Sequence, residues 1–432
     1  YLFRHKSFPE KTLNNALGIS LDNNYIINSN NTYSKIIRIQ GINFDLINED
    51  AQDVKIAQLE AILSSIDNGK FIKLDTPIKF YSSAVESAKR LEELTNKYEK
   101  IKDKSSLEAT QLESRIKALS IDLELFSTLE HNKTIITQTY YLILYNLNRS
   151  NLDSDIIRSI RLLNSIGLYS YCLNEKEVPL FYKHFFHSEV IDKHLMFNAL
   201  TEHPKYIESN NKKYAVQTLS ELPFTIGNAW LSPLSTIPGI QLVVNFKNNP
   251  DLSRAIKRIN KRIINLGELL LQKNTESEKM ELQSQVETCQ LLLEELKFSK
   301  EQLHILEIMV IYEYDKKKQK EISSLLKTAI QSKLDPLSFR QMEAFTNSFP
   351  HLQSKDIKWL QRDFPTSTFA GSFPFLSDLF IDQDGDYIGD NSGPVFFDMW
   401  ENINNPGGTR TNANIMTIGA SGKGKSYLQK IL

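Results

Sequence analysis

A glycine-rich stretch near the end of the sequence has the residue types and spacing of a phosphate-binding loop. Gly419, Gly424, Lys425 and Ser426 fit the pattern G-x-x-x-x-G-K-[ST]. Glycines let backbone N–H groups close around phosphate oxygens, a lysine at this position reaches the β- and γ-phosphates, and the hydroxyl binds Mg²⁺. The pattern therefore predicts a site for ATP and Mg²⁺, with Lys425 as the catalytic lysine and Ser426 as the metal ligand. The residues predicted to contact the nucleotide are Gly419, Ala420, Ser421, Gly422, Lys423, Gly424, Lys425, Ser426 and Tyr427.

The residues on either side fit the strand and helix that such a loop requires. Residues 414–418 read as a short buried strand entering the loop, and residues 426–432 read as a helix leaving it. The alternative is an ordinary glycine-rich turn, which gives no reason for a Lys-Ser pair at the start of a helix. The sequence begins with Tyr1 and ends six residues after Ser426, so we expect a piece of a longer protein.

Composition limits the class of protein. The 432 residues carry 51 basic and 52 acidic side chains, so no overall charge attracts nucleic acid or anionic lipid. Cys172 and Cys289 lie far apart, which argues against a disulfide framework or a zinc site and favours a reducing compartment. No apolar run approaches the roughly 18 residues of a membrane-spanning helix. The length predicts two or three domains.

Residues 33–190 and 214–350 show the same order of predicted elements, which indicates an internal duplication. Each copy reads as strand, helix, strand, helical hairpin, strand, helix and strand, and ends in an aromatic segment (181–186 and 339–349). Without its hairpin, each copy has the β-α-β-β-α-β order of the ferredoxin-like unit. We therefore expect an α/β protein whose α+β N-terminal region holds two such repeats. The predicted domains are 1–200, 201–355 and 356–432, the last being the truncated start of a P-loop ATPase domain.

The two inserted hairpins are predicted at about 81–130 and 251–300. Apolar residues step by three or four along both helices of each hairpin, which is typical of two antiparallel helices packed along a coiled-coil-like stripe. Each hairpin is either a solvated structural element or one that also binds a partner subunit. The histidines His131, His184, His304 and His351 lack the spacing of metal ligands and are expected to be ordinary core or surface residues.

An Asp-, Asn- and Gly-rich segment at 382–393 precedes a predicted strand at 394–398. Asp382, Asp384 and Asp386 alternate as they do in a calcium loop, but the glycine and the glutamate that such a loop needs are not at their positions. A tight turn between two strands is therefore expected here.

These residues together resemble a known family. Phe373-Pro374-Phe375, the glycines Gly385 and Gly389, the pair Pro394-Val395 with Asp398, and Asn414 leading into the glycine-rich loop are similar to the large cytoplasmic ATPase of conjugative type IV secretion systems. The strand-plus-proline segment 214–223 and the long charged helices resemble the N-terminal domain of that family.

The resemblance implies a RecA-like motor domain that begins near residue 370 and a hexameric ring in the assembled machine. It implies ATP use in pilus assembly or DNA transfer, beside other secretion subunits at the cytoplasmic membrane. Gly419, Gly424, Lys425 and Ser426 match the nucleotide loop of the family, and Lys423 stands where the family often has a small residue. The Walker B acid, the catalytic glutamate and the arginine finger have no counterpart, so we expect the 432-residue chain alone to be inactive as an ATPase.

Two other functions stay open at this point. A DNA-pumping ring translocase would use its N-terminal half to bind nucleic acid, and the basic residues Arg254, Lys257, Arg258, Lys261 and Arg262 form a helical patch suited to that role. A solvated helix surface also explains this patch. The chain could also act as a non-enzymatic scaffold, with its N-terminal half serving only as a docking or oligomerisation module.

Overall fold

The computed structural model describes most of the chain up to residue 377 and one hairpin after it. The described residues are 11–12, 19–22, 24–28, 31–44, 47–77, 81–131, 136–186, 190–191, 194–197, 200–209, 212–221, 227–272, 275–298, 302–329, 332–355, 357–377, 386–390 and 394–398. The chain divides into two compact units. One consists of the residues up to 74 together with 139–376, and the other of 75–138 together with the residues from 377 onward.

The described residues contain eighteen strands and eleven helices. The strands are β1 (Lys11–Thr12), β2 (Ile19–Asp22), β3 (Tyr25–Asn28), β4 (Tyr33–Gln40), β5 (Asn68–Pro77), β6 (Ile136–Asn146), β7 (Ser170–Cys172), β8 (Val190–Ile191), β9 (His194–Phe197), β10 (Thr201–Glu202), β11 (Ile207–Ser209), β12 (Lys212–Glu221), β13 (Ile240–Asn248), β14 (Leu303–Glu313), β15 (Lys333–Asp335), β16 (Arg362–Pro365), β17 (Asp386–Asp390) and β18 (Pro394–Phe397). The helices are α1 (Glu49–Ser64), α2 (Tyr81–Lys100), α3 (Leu107–His131), α4 (Arg149–Ser165), α5 (Glu177–Phe186), α6 (Ser232–Thr236), α7 (Leu252–Gln272), α8 (Glu276–Phe298), α9 (Lys316–Ala329), α10 (Gln341–Asn347) and α11 (Thr366–Ala370).

Thirteen of the described strands form one large antiparallel sheet, so the protein is a mixed α/β structure, as the sequence predicts. Its main path runs β10-β11-β12-β14-β13-β5-β6-β4-β3-β2, and β7, β15 and β16 pair with β4, β12 and β14. At the centre, β5 and β13 are antiparallel, with Lys70 opposite Asn245. The predicted copies therefore meet side by side through one strand of each.

Four strands of each predicted copy have the same order in the sheet. The first copy reads β7-β4-β6-β5 and the second reads β15-β12-β14-β13, so the arrangement is palindromic about the β5–β13 pair. The helices α2 and α7, which start the two hairpins, begin at Tyr81 and Leu252, 171 residues apart. The repeated order of elements seen in the sequence is thus accompanied by a repeated order of strands.

Both faces of the sheet are buried, because alternate residues of its strands belong to two separate clusters. On β6, Leu142 lies in one hydrophobic cluster and Ile143 in the other. The first face is covered by α1, α4, α6 and α9, and their buried side chains include Leu63, Leu163, Leu234 and Ile322. The protein is therefore layered, with helices on each side of a central sheet.

The second face is covered by α5 and α10, which we call the aromatic helices because the aromatic segments at the end of each predicted copy form them. On α5, the buried residues Val178, Phe181, Tyr182, Phe185 and Phe186 recur every three or four positions and face the sheet. The chain just after α10 meets α5 directly, since the rings of Phe186 and Phe349 lie 5.0 Å apart in an edge-to-face contact.

Each inserted segment is a pair of packed helices, α2 with α3 and α7 with α8, as the spacing of apolar residues predicts. The base of the second hairpin is anchored to the sheet, because Ala255, Leu296 and Leu303 form one buried cluster. Leu303 begins β14, so the hairpin packs directly on the strand that follows it.

Several predicted bounds differ from the structure. The helix predicted at 225–237 covers only Ser232–Thr236 among the described residues, since residues 222–226 lie outside them. The sequence pattern placed Glu307 on a polar face of its strand, but Glu307 is only 2% exposed. The prediction for Glu307 was wrong because both faces of β14 are covered, so strand alternation does not lead to solvent there.

Candidate functional site

The predicted nucleotide site lies outside the described residues. This applies to every predicted contact from Gly419 to Tyr427 and to the strand and helix predicted on either side of the loop. Lys425 and Ser426 therefore stay predictions from the sequence. The described residues nearest in sequence to the loop form two features, a segment bound to the sheet and a short hairpin.

The segment from Arg362 to Leu376 is fixed against the first face of the sheet. Its strand β16 pairs with the start of β14, and His304 Nδ1 lies 2.9 Å from the hydroxyl of Thr366. Phe373 is fully buried and its ring stacks on Phe44 with centroids 4.3 Å apart. The Phe-Pro-Phe motif that carries part of the family resemblance therefore belongs to the core around the sheet.

Residue 376 is held by three further contacts. The Tyr140 hydroxyl donates a 2.6 Å hydrogen bond to the carbonyl oxygen of Leu376, and Ile42 forms a parallel bridge with Leu376. Gly41 lies so close that an added Cβ would be 2.7 Å from the same carbonyl oxygen. A side chain at position 41 would therefore separate the segment from β4.

The strands β17 and β18 form an antiparallel hairpin in which Asp386 lies opposite Phe397 and Asp390 lies opposite Pro394. The register shifts between Tyr387 and Gly389, so this strand carries a bulge. The predicted turn between two strands falls here, although residues 382–385 and 391–393 lie outside the described residues.

A row of buried polar side chains crosses the centre of the sheet. Lys70 on β5, Asn245 on β13 and Glu307 on β14 are directly paired neighbours, and each is at most 2% exposed. The Lys70 ammonium donates to three carbonyl oxygens, those of Asn347 at 3.0 Å, Phe349 at 2.6 Å and Leu352 at 3.0 Å. A charge this deeply buried is tolerated because each of its protons has an acceptor.

The carboxylate of Glu307 is the acceptor at the other end of the row. Its Oε2 accepts from Asn245 Nδ2 at 3.0 Å, Asn347 Nδ2 at 2.6 Å and the Ser354 hydroxyl at 2.7 Å. Burial lowers the pKa of Lys70 to about 7, while the charge of Glu307 acts in the opposite direction. The lysine is therefore at the edge of losing its proton near neutral pH.

His351 lies beside this row and is neutral in the folded protein. Burial, with a smaller effect from the Lys70 charge, lowers the pKa of His351 to about 3. Burial likewise lowers the pKa of His304, on the opposite face, to about 4. Both histidines are core residues, as the lack of ligand spacing predicts, and groups of three or more potential metal ligands are absent from the described residues.

This polar row joins the two predicted copies rather than binding a substrate, because its groups are closed off from solvent and bonded to one another. Sequence reasoning missed it. The available signal was a polar residue in the middle of an apolar strand, as Lys70, Asn245 and Glu307 all are. Pattern alone does not tell whether such a residue faces solvent or a buried partner.

Comparison with known proteins identifies no relative. No protein-family model matches the chain, and no curated protein sequence is significantly similar to it. Among the helices that the structure describes, none combines the length and apolar character needed to cross a lipid bilayer.

Proposed function

We propose that the chain is the N-terminal and P-loop portion of an ATPase that powers a conjugative type IV secretion system, in pilus assembly or substrate transfer. The single observation that carries this proposal is the pattern formed by Gly419, Gly424, Lys425 and Ser426. The predicted strand before it and helix after it fit the phosphate-binding geometry.

The expected chemistry is transfer of a phosphoryl group to water. The loop amides and Lys425 hold the phosphates in place, and the Ser426 hydroxyl holds Mg²⁺. When bound, Mg²⁺ neutralises charge that develops on the phosphate oxygens. The acid that orients water has no counterpart in this sequence, so the 432-residue chain is expected to bind the nucleotide without significant turnover.

The upstream region is proposed to be two ferredoxin-like repeats that act as a docking and oligomerisation module. In β4-α1-β5 the third strand, β6, lies between the two strands that α1 connects, which is the split β-α-β arrangement. The same holds for β14 between β12 and β13. This shared order supports two copies of one unit, each with a helical hairpin inserted between its second and third strands.

A transfer assay in the organism that encodes the protein tests the proposal. A strain lacking the gene should regain conjugative transfer with the unaltered gene and with Lys423→Ala, but not with Lys425→Ala. Lys423 is the matched control because it lies two positions away in the same loop and has no predicted contact beyond its backbone. Full transfer with Lys425→Ala, at equal protein level, would remove the ATPase assignment.

A DNA-pumping translocase is the second candidate. It is favoured by the five cations from Arg254 to Arg262, all of which are exposed on α7. Under this function the affinity for DNA should fall steeply with salt, because bound phosphates release counterions. A salt-independent or undetectable interaction with DNA favours the secretion motor.

A further inference from the structure

The second helical hairpin segregates its charge between its two helices. Helix α7 contains five basic residues and one acidic residue, a net charge of +4, whereas α8 contains two basic and six acidic residues, a net charge of −4. Within the first hairpin, α2 has four residues of each sign. The segregation is therefore a property of the second hairpin and not of charged helices in this chain generally.

The basic residues of α7 form a single outward face. Arg254, Lys257, Arg258, Lys261 and Arg262 are spaced by three and four, so they lie on one side of the helix over about 12 Å. All five are exposed, and the apolar stripe that includes Ile259 and Leu266 lies on the opposite side, against α8.

The acidic residues of α8 form the corresponding outward face. Glu287 and Glu294 are seven residues apart and both are exposed. Between and beside them lie large apolar side chains that are also exposed, with Met280 at 72%, Leu291 at 62% and Phe298 at 80%. These positions repeat every three or four residues, so α8 has a second stripe on the side away from α7.

The two helices do not neutralise each other within the hairpin. The ion pairs described for it are Arg258 with Asp363 and Lys279 with Glu276, and neither joins α7 to α8. In an antiparallel pair the two outward faces point in opposite directions. The hairpin therefore presents a cationic side and, opposite to it, an anionic side with exposed apolar groups.

We propose that this hairpin is a self-association element, in which the basic face of α7 in one copy binds the acidic face of α8 in a second copy. The occupant of each face is thus another copy of this chain. The contact is heterologous, because it joins two different surfaces, and such contacts build rings or open chains. Exposed apolar residues on α8 supply the surface that is removed from water when the faces meet.

This inference names the surface for the oligomerisation role proposed above, but it takes nothing from the phosphate loop, so either can fail alone. It also separates the chain from a nucleic-acid binder. A phosphate backbone would meet only the basic face and would leave the acidic stripe of α8 without a role.

Charge reversal tests the proposal on the whole 432-residue chain by sedimentation velocity over a range of concentrations. One variant carries Lys257→Glu with Lys261→Glu, and the other carries Glu287→Lys with Glu294→Lys. Each should weaken self-association by about tenfold or more, since both faces then repel, and an equimolar mixture of the two should associate again. The association of the unaltered chain should weaken between about 0.05 M and about 0.5 M salt.

A matched control carries Lys97→Glu with Lys100→Glu on α2, where both lysines are exposed and the change in net charge is the same as for the α7 variant. Its self-association should equal that of the unaltered chain. The proposal is overturned if the unaltered chain stays monomeric, if the mixture does not associate, or if α7 reversal only abolishes binding of a labelled single-stranded oligonucleotide. Unchanged circular dichroism melting verifies that the variants fold.

Discussion

Lys70 and Gln241 lie 171 residues apart at equivalent positions, and each donates across the centre of the sheet to the other copy's aromatic helix. Lys70, on β5 of the first copy, reaches Asn347 at the end of α10 at 3.0 Å. Gln241, on β13 of the second copy, reaches the carbonyl oxygen of Phe185 in α5 at 2.9 Å. The two contacts are related by the same offset as the hairpins.

This crossed arrangement explains how two copies form one core. Carbonyl groups at the end of a helix lack partners within the helix and need donors from elsewhere. Each copy supplies the donor for the other copy's helix, so neither copy satisfies its own buried polar groups alone. The copies are therefore expected to unfold together as a single cooperative unit.

Removal of the Lys70 ammonium should destabilise the protein strongly. Lys70→Met leaves the carbonyl oxygens of Asn347 and Phe349 and the charge of Glu307 buried without their cation, which should cost about 3–5 kcal/mol. Gln241→Leu removes a neutral hydrogen bond at the equivalent position and should cost about 1–2 kcal/mol. Urea unfolding of both variants measures the difference, and equal losses would contradict the account.

A double-mutant cycle isolates the coupling between Lys70 and Glu307. If the two charges compensate each other, Glu307→Leu should cost less in the Lys70→Met background than in the unaltered protein, by about 1–3 kcal/mol. Strict additivity would mean that Lys70 acts only through its three carbonyl partners.

Acid should destabilise the protein partly through His351. Its folded pKa, about 3, lies below the unfolded value of 6.5, so the unfolded chain binds the additional proton between these limits. The stabilisation from neutral His351 is fully present above about pH 6.5 and is lost as the pH falls toward 3, on the order of 2–4 kcal/mol. His351→Phe should therefore lose less stability between about pH 7 and about pH 4.5.

The control for this experiment is His203→Gln, because His203 is partly exposed and pairs with Glu208 on the surface. Its acid response should follow that of the unaltered protein. Parallel pH curves for His351→Phe and the unaltered protein would show that His351 does not carry the effect.

Glycine replacements test the attachment of the segment that leads toward the predicted loop. Gly41→Ala places a methyl group against the carbonyl oxygen of Leu376 and should cost about 1–3 kcal/mol, with faster amide exchange at 364–376. Gly267→Ala, in α7, meets no atom within 4 Å and should instead stabilise the protein by about 0.5–1 kcal/mol. Unchanged exchange at 364–376 in Gly41→Ala would contradict the described packing.

The helical hairpins could be predicted from sequence because their apolar period is local. A stripe that steps by three or four residues defines a helix without any knowledge of its partners. The strands that begin at Tyr33, Ile240 and Leu303 were predicted for the same reason, since short apolar runs bounded by breaks define them. The structure gives their starts at those residues.

Contacts between distant residues could not be predicted in this way. The pairing of β5 with β13 depends on register between strands about 170 residues apart, and Glu307 reads as a surface residue until the aromatic helices cover its face. The nucleotide loop is the opposite case. Its chemistry is carried by a local pattern around Lys425, which the sequence contains whole.

The most direct test of the central claim is a calorimetric titration of Mg·ATP into the 432-residue chain and its two lysine variants. The account predicts binding by the unaltered chain and by Lys423→Ala, and at least about tenfold weaker binding by Lys425→Ala, because only Lys425 reaches the β- and γ-phosphates. Equal affinity for all three proteins, or equal loss in both variants, would contradict a phosphate loop at Gly419 to Ser426.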